Sequence, residues 1–254
     1  MSNQEEVTIG AKGTDYGTWK SSPAVRRYIN ITTVLAALVL FSRIGLKQSA
    51  LSLVFGVLMI AVGGYSFYLS RVKNVYSYVG GSVIEQNHKK LVGYLKWDGH
   101  GTLADVGCGN GPLTVRCAKT FPEAAVKGID NWGMLWNMTK DRCDGNAEKE
   151  GVKERCDFVQ SDIVKLPYED GHFDALISSF AYSEVKRKTD KKPILQESMR
   201  VLKKGAPFAL QDFFGRDKMF GKPEELMKWL KRHGVSEIHY VAGDDEIGIL
   251  WGKK

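Results

Sequence analysis

The stretch Leu103-Ala-Asp-Val-Gly-Cys-Gly-Asn-Gly-Pro-Leu-Thr-Val115 constrains this chain more than any other. Its apolar start reads as a buried β-strand carrying Asp105, and glycines then recur at Gly107, Gly109 and Gly111. Glycine accepts left-handed backbone and close approach, so the run reads as a tight turn on which a ligand can lie. Pro112 suits the first position of a helix, where its missing N–H costs nothing. A strand, a glycine turn and a helix in that order bind nucleotide-like ligands, with helix N–H groups expected to face an anion. A dinucleotide fingerprint needs G-x-G-x-x-G, and counted from Gly107 its third glycine would fall on Pro112. The spacing here is instead D-x-G-x-G-x-G, from Asp105 to Gly111.

From Thr102 onward, short apolar strands alternate with helical patterns, the mark of an α/β fold with a doubly wound, mainly parallel sheet. Seven strands are expected: Thr102–Val106, Ala125–Ile129, Cys156–Gln160, Ala175–Ser179 and Phe208–Asp212, then an antiparallel pair at Ser236–Val241 and Gly248–Gly252. Helices are expected at Pro112–Thr120, Met134–Gly151 and Pro223–His233. Asp130 ends the second strand, twenty-five residues past Asp105, where a carboxylate can accept hydrogen bonds from two ribose hydroxyls. Trp132, Met134 and Leu135 follow, as pocket lining or as helix core.

The glycine pattern resembles motif I of the class I S-adenosylmethionine (SAM) methyltransferases. Two further stretches are similar to that family: Leu166-Pro-Tyr-Glu-Asp-Gly-His-Phe-Asp174 before the fourth strand, and Glu197, Arg200, Val201 and Leu202 in the helix after it. The resemblance covers about residues 80–254. It departs at Lys203-Lys204-Gly205-Ala206-Pro207, where the family usually has Pro-Gly-Gly, a change to one turn away from the cofactor. It implies a Rossmann-like sheet with SAM as cofactor. Asp105, Gly107, Cys108, Gly109, Asn110, Gly111, Asp130, Asn131, Asp162, Ile163 and Ser179 would hold it, with Asp162 on the adenine amine. Acceptor-side residues would come from the ends of the fourth and fifth strands: Ser178 to Phe180, Tyr182, Ser183, Glu184, and Asp212 to Phe214. Of these, Glu184, Asp212 and Tyr182 are the catalytic candidates, Glu184 or Asp212 as general base, although Glu184 reads equally as a helix cap or a solvated side chain.

Neither an Asn/Asp-Pro-Pro-aromatic tetrapeptide nor a Pro-Cys nucleophile follows the fourth strand, so nucleobase methylation in DNA lacks its usual signatures. Four cysteines without C-x-x-C spacing read as free thiols, and five scattered histidines suggest no metal. His88 reads as a packed or surface histidine.

Two apolar runs precede the α/β region. Tyr28 to Ser42 carries no charge, and Gln48 to Ser70 is uncharged over more than twenty residues, with Gly56, Gly63 and Gly64 allowing close helix packing. Joined by a short turn, they read as a two-helix transmembrane hairpin at 28–70, followed by a neck at 71–99 and the SAM-dependent domain at 100–254. Lys20, Arg26, Arg27, Arg71 and Lys73 flank the outer ends, which puts both termini and the domain on the cytoplasmic side. The net charge of +7 is then partly matched by anionic headgroups, which makes a nucleic-acid partner unlikely. Residues 1–27 are polar and expected to be mobile; Tyr16-Gly-Thr-Trp19 reads as an interfacial aromatic anchor or as a flap over the active site.

The expected activity is methyl transfer to a small or lipophilic acceptor at the membrane face. The alternatives are a membrane-tethered protein or RNA methyltransferase, and a non-catalytic SAM-binding membrane protein. Oligomerisation through the hairpin is a further expectation.

Overall fold

The computed structural model describes residues 7–17, 22–75, 78, 83–132, 138–186 and 190–254, the side chains of 22–25 and 71–75 excepted. The chain divides into a unit of residues 17–84 and a unit that joins residues 1–16 to 85–254.

The first unit is helical. Helix α1 (Ser22–Leu40) runs through a π-type turn at Phe41–Gly45, and α2 (Ser49–Val75) packs back against it. Tyr28 meets Tyr65 edge-on at 5.0 Å, and a methyl on Gly63 would stand 3.4 Å from Thr32, so small residues bring the helices close. Ile29, Val34, Leu40, Leu53, Val57, Ile60 and Phe67 all point outward. Arg26–Gly45 and Ser49–Ser70 are long and apolar enough to cross a bilayer.

The second unit holds α3 (Val83–Tyr94) from Glu85 on, then β1 (Gly101–Val106), α4 (Pro112–Thr120), β2 (Ala124–Asp130), α5 (Lys140–Lys149) and β3 (Cys156–Gln160). It continues with β4 (Ala175–Ser179), α6 (Lys192–Val201), β5 (Pro207–Asp212), α7 (Asp217–Phe220), α8 (Pro223–Arg232), β6 (Glu237–Ala242) and β7 (Gly248–Lys253). The strands form one sheet in the order β3-β2-β1-β4-β5-β7-β6. Strands β1 to β5 are parallel, and β7 runs antiparallel between β5 and β6. The order reverses between β1 and β4, which opens a crevice at the carboxyl ends of these strands. The near-continuous apolar strands need cover on both faces. One core layer packs Phe173, Tyr182, Phe208 and Leu230, and the other packs Leu103, Val115, Phe158 and Ile177.

Side chains tie the loops to this frame. Glu197 accepts from the Leu166 N–H at 2.7 Å, while Arg200 bonds both Glu197 and the Tyr168 carbonyl, so α6 fixes the Leu166–Asp170 turn. Asp174 accepts from the Thr102 N–H and pairs with Lys203, which fixes the start of β4 against β1.

Two expectations change. The helix expected from Met134 begins, among the described residues, at Lys140, where Thr139 accepts from the Arg142 N–H as an N-cap; Met134 and Leu135 lie outside the described residues. The N-terminal segment does not run free either. Residues 7–16 dock on α4 and α5, and Tyr16 is buried with its hydroxyl on Glu150 at 3.0 Å; Trp19 lies outside the described residues.

Candidate functional site

The glycine loop between β1 and α4 turns its N–H groups into the protein. Gly107 and Cys108 both donate to the Ile129 carbonyl, at 2.7 and 3.1 Å, and Gly111 donates to Cys108. The Gly109 N–H goes to Asp130 Oδ2 at 2.9 Å. Four loop donors, those of Gly107, Cys108, Gly109 and Gly111, are thus taken by the protein itself. What the loop offers is oxygen. Asp105 Oδ1 and Asn110 Oδ1 are buried without a hydrogen-bond partner. Buried acceptors left unpaired cost about 1–3 kcal/mol each, so a ligand rich in donors is what this site fits.

Asp105 sits at the register position opposite Gly128 and Ile177, fully buried, with Oδ2 held by the Thr114 hydroxyl at 2.6 Å. Burial pushes its carboxyl up to about 7; the Thr114 hydrogen bond opposes this and the neighbouring Asp130 adds to it. A cation at Oδ1 would favour the ionised form.

Asp130 clamps the loop from the end of β2. Its Oδ1 accepts from the Trp132 N–H at 2.9 Å, and the Trp132 indole donates back to the Gly109 carbonyl at 2.7 Å. Trp132 holds a left-handed backbone, φ 44°, a strained choice for an indole residue that fixes its ring on the loop. Each Asp130 oxygen keeps a second lone pair with which it can accept a further hydrogen bond. Asn131 is exposed, and its carbonyl accepts from Gln160 at 3.0 Å. The Ser161 N–H donates to the Asp130 carbonyl, which joins the β2 and β3 ends and brings Asp162 and Ile163 beside Asp130. Asp162 is exposed, with Oδ1 on the Val164 N–H, and Ile163 is buried in the core. Cys108 is buried under the loop, its thiol pushed well up by burial and by its neighbour Cys143.

The other half of the crevice lies at the ends of β4 and β5. Ser178 is buried with its hydroxyl on the Val106 carbonyl, and Ser179 contacts Gln211. Phe180 adopts φ 55° at the crest, and its ring lies 5.3 Å from that of Phe213. The Arg216 guanidinium sits 3.9 Å over Phe213 and pairs with Glu246 of the β6–β7 turn at 2.7 Å. Both phenylalanines are half-buried, so they form an apolar wall at the mouth of the crevice.

The three catalytic candidates divide. Asp212 is fully buried: Oδ2 accepts from the Tyr182 and Ser183 N–H groups at 3.0 and 3.1 Å, and Oδ1 from Phe213. Burial raises its carboxyl, and its oxygens serve to tie the turn after β4 to the end of β5. Tyr182 does not fit the role expected of it. Its ring belongs to the core, its hydroxyl bonds Ser198 at 3.1 Å, and burial raises its ionisation far above the usual range. Glu184 is half-buried on the same turn.

Sequence reasoning marked Trp132 as pocket lining or helix core but missed the rest of the support around the loop. Thr114 on Asp105, Trp132 and Cys143 on the Gly109 carbonyl, and Asn146 on the Asn110 carbonyl all act there. The readable signal was Cys143, Asn146, Ala147 and Glu150, a core-facing helical stripe in which two members are polar. His88 is buried in α3, pushed down to about 3 by burial and by Arg116.

Residues 103–205 match the family model described as "Methyltransferase domain". The chain is 32% identical over 124 residues to 27-O-demethylrifamycin SV methyltransferase of Amycolatopsis mediterranei, a match covering 49% of this chain and 43% of that protein. It is 32% identical over 123 residues to 2-phytyl-1,4-naphtoquinone methyltransferase of Trichormus variabilis, covering 47% of this chain and 51% of the relative. The chain therefore spans about half the length of these relatives, or less. In fold it is similar to geranyl diphosphate C-methyltransferase from Streptomyces coelicolor A3(2), with a TM-score of 0.52 at 13% identity over 67% of this chain and 80% of the other.

Proposed function

We propose that the methyltransferase domain at residues 103–205, SAM-dependent and of class I, moves a methyl group from SAM to a small lipophilic acceptor. The observation that carries this reading is the polarity of the glycine loop, where four N–H groups are taken by the protein while Asp105 Oδ1 and Asn110 Oδ1 are buried without a partner and Asp130 stands beside them as a further acceptor. A phosphate ligand would meet repulsion there. An ammonium, a sulfonium and a ribose diol would meet acceptors.

When bound, SAM would supply an electrophilic methyl carbon for the acceptor's lone pair, with its sulfur as the leaving group. The residues of this chain act by orientation and water exclusion. Asp130 holds the diol, Asp105 the ammonium, and Asp162 with the following backbone the adenine. Glu184 takes a proton from the acceptor where one must leave, while Asp212 holds the turn that carries it. Support for a flat, apolar acceptor comes from the Phe180 and Phe213 wall and from relatives named for rifamycin and naphthoquinone substrates.

The two outward-apolar helices support a bilayer hairpin, and the flanking basic residues support a cytoplasmic domain. Such a hairpin would keep the attached domain where lipophilic acceptors concentrate. The test supplies methyl-labelled SAM to membranes with and without the protein. Protein-dependent label in the organic extract is the expected result. Label confined to RNA or protein would overturn it in favour of a tethered macromolecule methyltransferase.

A further inference from the structure

Buried carboxylates and amides need partners, and the α4–α5 surface carries two that are satisfied by the chain's own N-terminus. The Glu150 side chain is 1% exposed. It accepts from the N–H groups of Gly10 and Ala11 at 2.5 and 3.0 Å, from the Tyr16 hydroxyl at 3.0 Å, and from Lys119 at 2.5 Å. Burial alone would raise the Glu150 carboxyl, but these four donors together hold it below the ordinary range. Asn146, one turn earlier, pairs with the Asp15 backbone in both directions: Oδ1 accepts from its N–H at 2.8 Å and Nδ2 donates to its carbonyl at 3.0 Å. Arg116, Lys119 and Lys149 donate to the carbonyls of Val7, Thr8 and Gly13, and Arg142 pairs with Asp15. Residues 7–16 are therefore a strap seated in a built receptor.

The strap is connected to the cofactor loop through Asn146. The same Asn146 Nδ2 that donates to Asp15 also donates to the Asn110 carbonyl at 3.0 Å. Asn110 Oδ1 in turn is one of the buried oxygens of the loop that has no hydrogen-bond partner. Undocking the strap would take away both Asp15 partners of Asn146 and three of the four donors on Glu150. The side chain that fixes Asn110 would then be loose.

We infer that Asn146 and Glu150 are positioning residues for the cofactor loop: the docked strap orients Asn146, and Asn146 sets Asn110 for the cofactor. This rests on the reading of the loop as the SAM site. Because coupling between two sites is reciprocal, SAM must also tighten the strap.

The experiment uses the full chain in lipid nanodiscs, with amide hydrogen exchange and calorimetric titration of SAM. SAM is expected to slow exchange at Gly10, Ala11 and Asp15 in the wild type. Asn146→Ala is expected to abolish that slowing and weaken SAM about fivefold, the low end of typical coupling. Glu150→Gln, a milder change, carries the same test if the alanine variant loses its cooperative melt: strap exchange rises without ligand and SAM weakens in step. A wild type that binds SAM with strap exchange unchanged overturns the inference alone, as does an Asn146→Ala protein that binds SAM like the wild type. A wild type that binds no SAM overturns the reading beneath it as well.

Discussion

Asp130→Ala is expected to weaken SAM binding by about ten- to a hundredfold, since a hydrogen bond to a charged group contributes about 1.5–3 kcal/mol. Two effects act in the same direction. The substitution removes the acceptors proposed for the ribose diol. It also releases the Gly109 and Trp132 N–H groups, which the carboxylate now holds at 2.9 Å each, so the loop loses its clamp. Asp130→Asn keeps one acceptor oxygen and should fall between wild type and alanine. Calorimetric titration of the full chain decides the matter, and an unchanged affinity in the alanine variant would remove Asp130 from the site.

Gly107→Val is expected to abolish SAM binding and to lower the melting temperature by several degrees. Gly107 has φ 79°, and a methyl group there would lie 2.2 Å from the Ala181 Cβ, so the loop and the turn after β4 could not both keep their places. A left-handed β-branched residue adds about 1–3 kcal/mol of backbone strain. Gly151 has a similar φ of 71° with open space around it, so Gly151→Ala shows the backbone cost alone. SAM affinity should survive that control. A Gly107→Val protein that still binds SAM normally would show that the loop tolerates displacement.

Much of the fold was legible because a parallel sheet writes itself as alternating apolar runs. The β3 and β4 bounds match the expected ones, and β1, β2 and β5 extend theirs by one or two residues. Asp130 was legible as the residue that ends β2, and Asp162 as a residue just past the end of β3. The direction of the loop's hydrogen bonds was not, because a glycine pattern reports freedom of φ and not which way each N–H points. Tyr182, lying between small and polar residues, read as a site residue, yet its ring fills the core under α6 through Ser198. Docking of residues 7–16 was hidden for a different reason. The segment has no apolar period, and its contacts are to polar groups more than a hundred residues away. Buried Asn146 and Glu150 look like ordinary helix surface until their stripe is counted against Cys143 and Ala147.

In the proposed function an oxygen-rich loop selects a cationic, phosphate-free cofactor, and the pH dependence of binding follows from Asp105. The folded carboxyl stands at about 7, above its unfolded value of about 3.9. The ligand-free protein therefore holds the extra proton between these values, and the stability this contributes is lost as pH rises through 7. A cationic ligand prefers the ionised carboxyl, so SAM should bind more tightly as pH rises toward 7.5, below the titration of its own amino group near 8. The most direct measurement titrates the full chain with SAM, ATP and NADH at pH 5.5 and 7.5, alongside Asp105→Asn. The expected result is SAM binding that strengthens at the higher pH, little pH dependence in Asp105→Asn, and no comparable binding of ATP or NADH. Tighter binding of either phosphate ligand than of SAM would contradict the account.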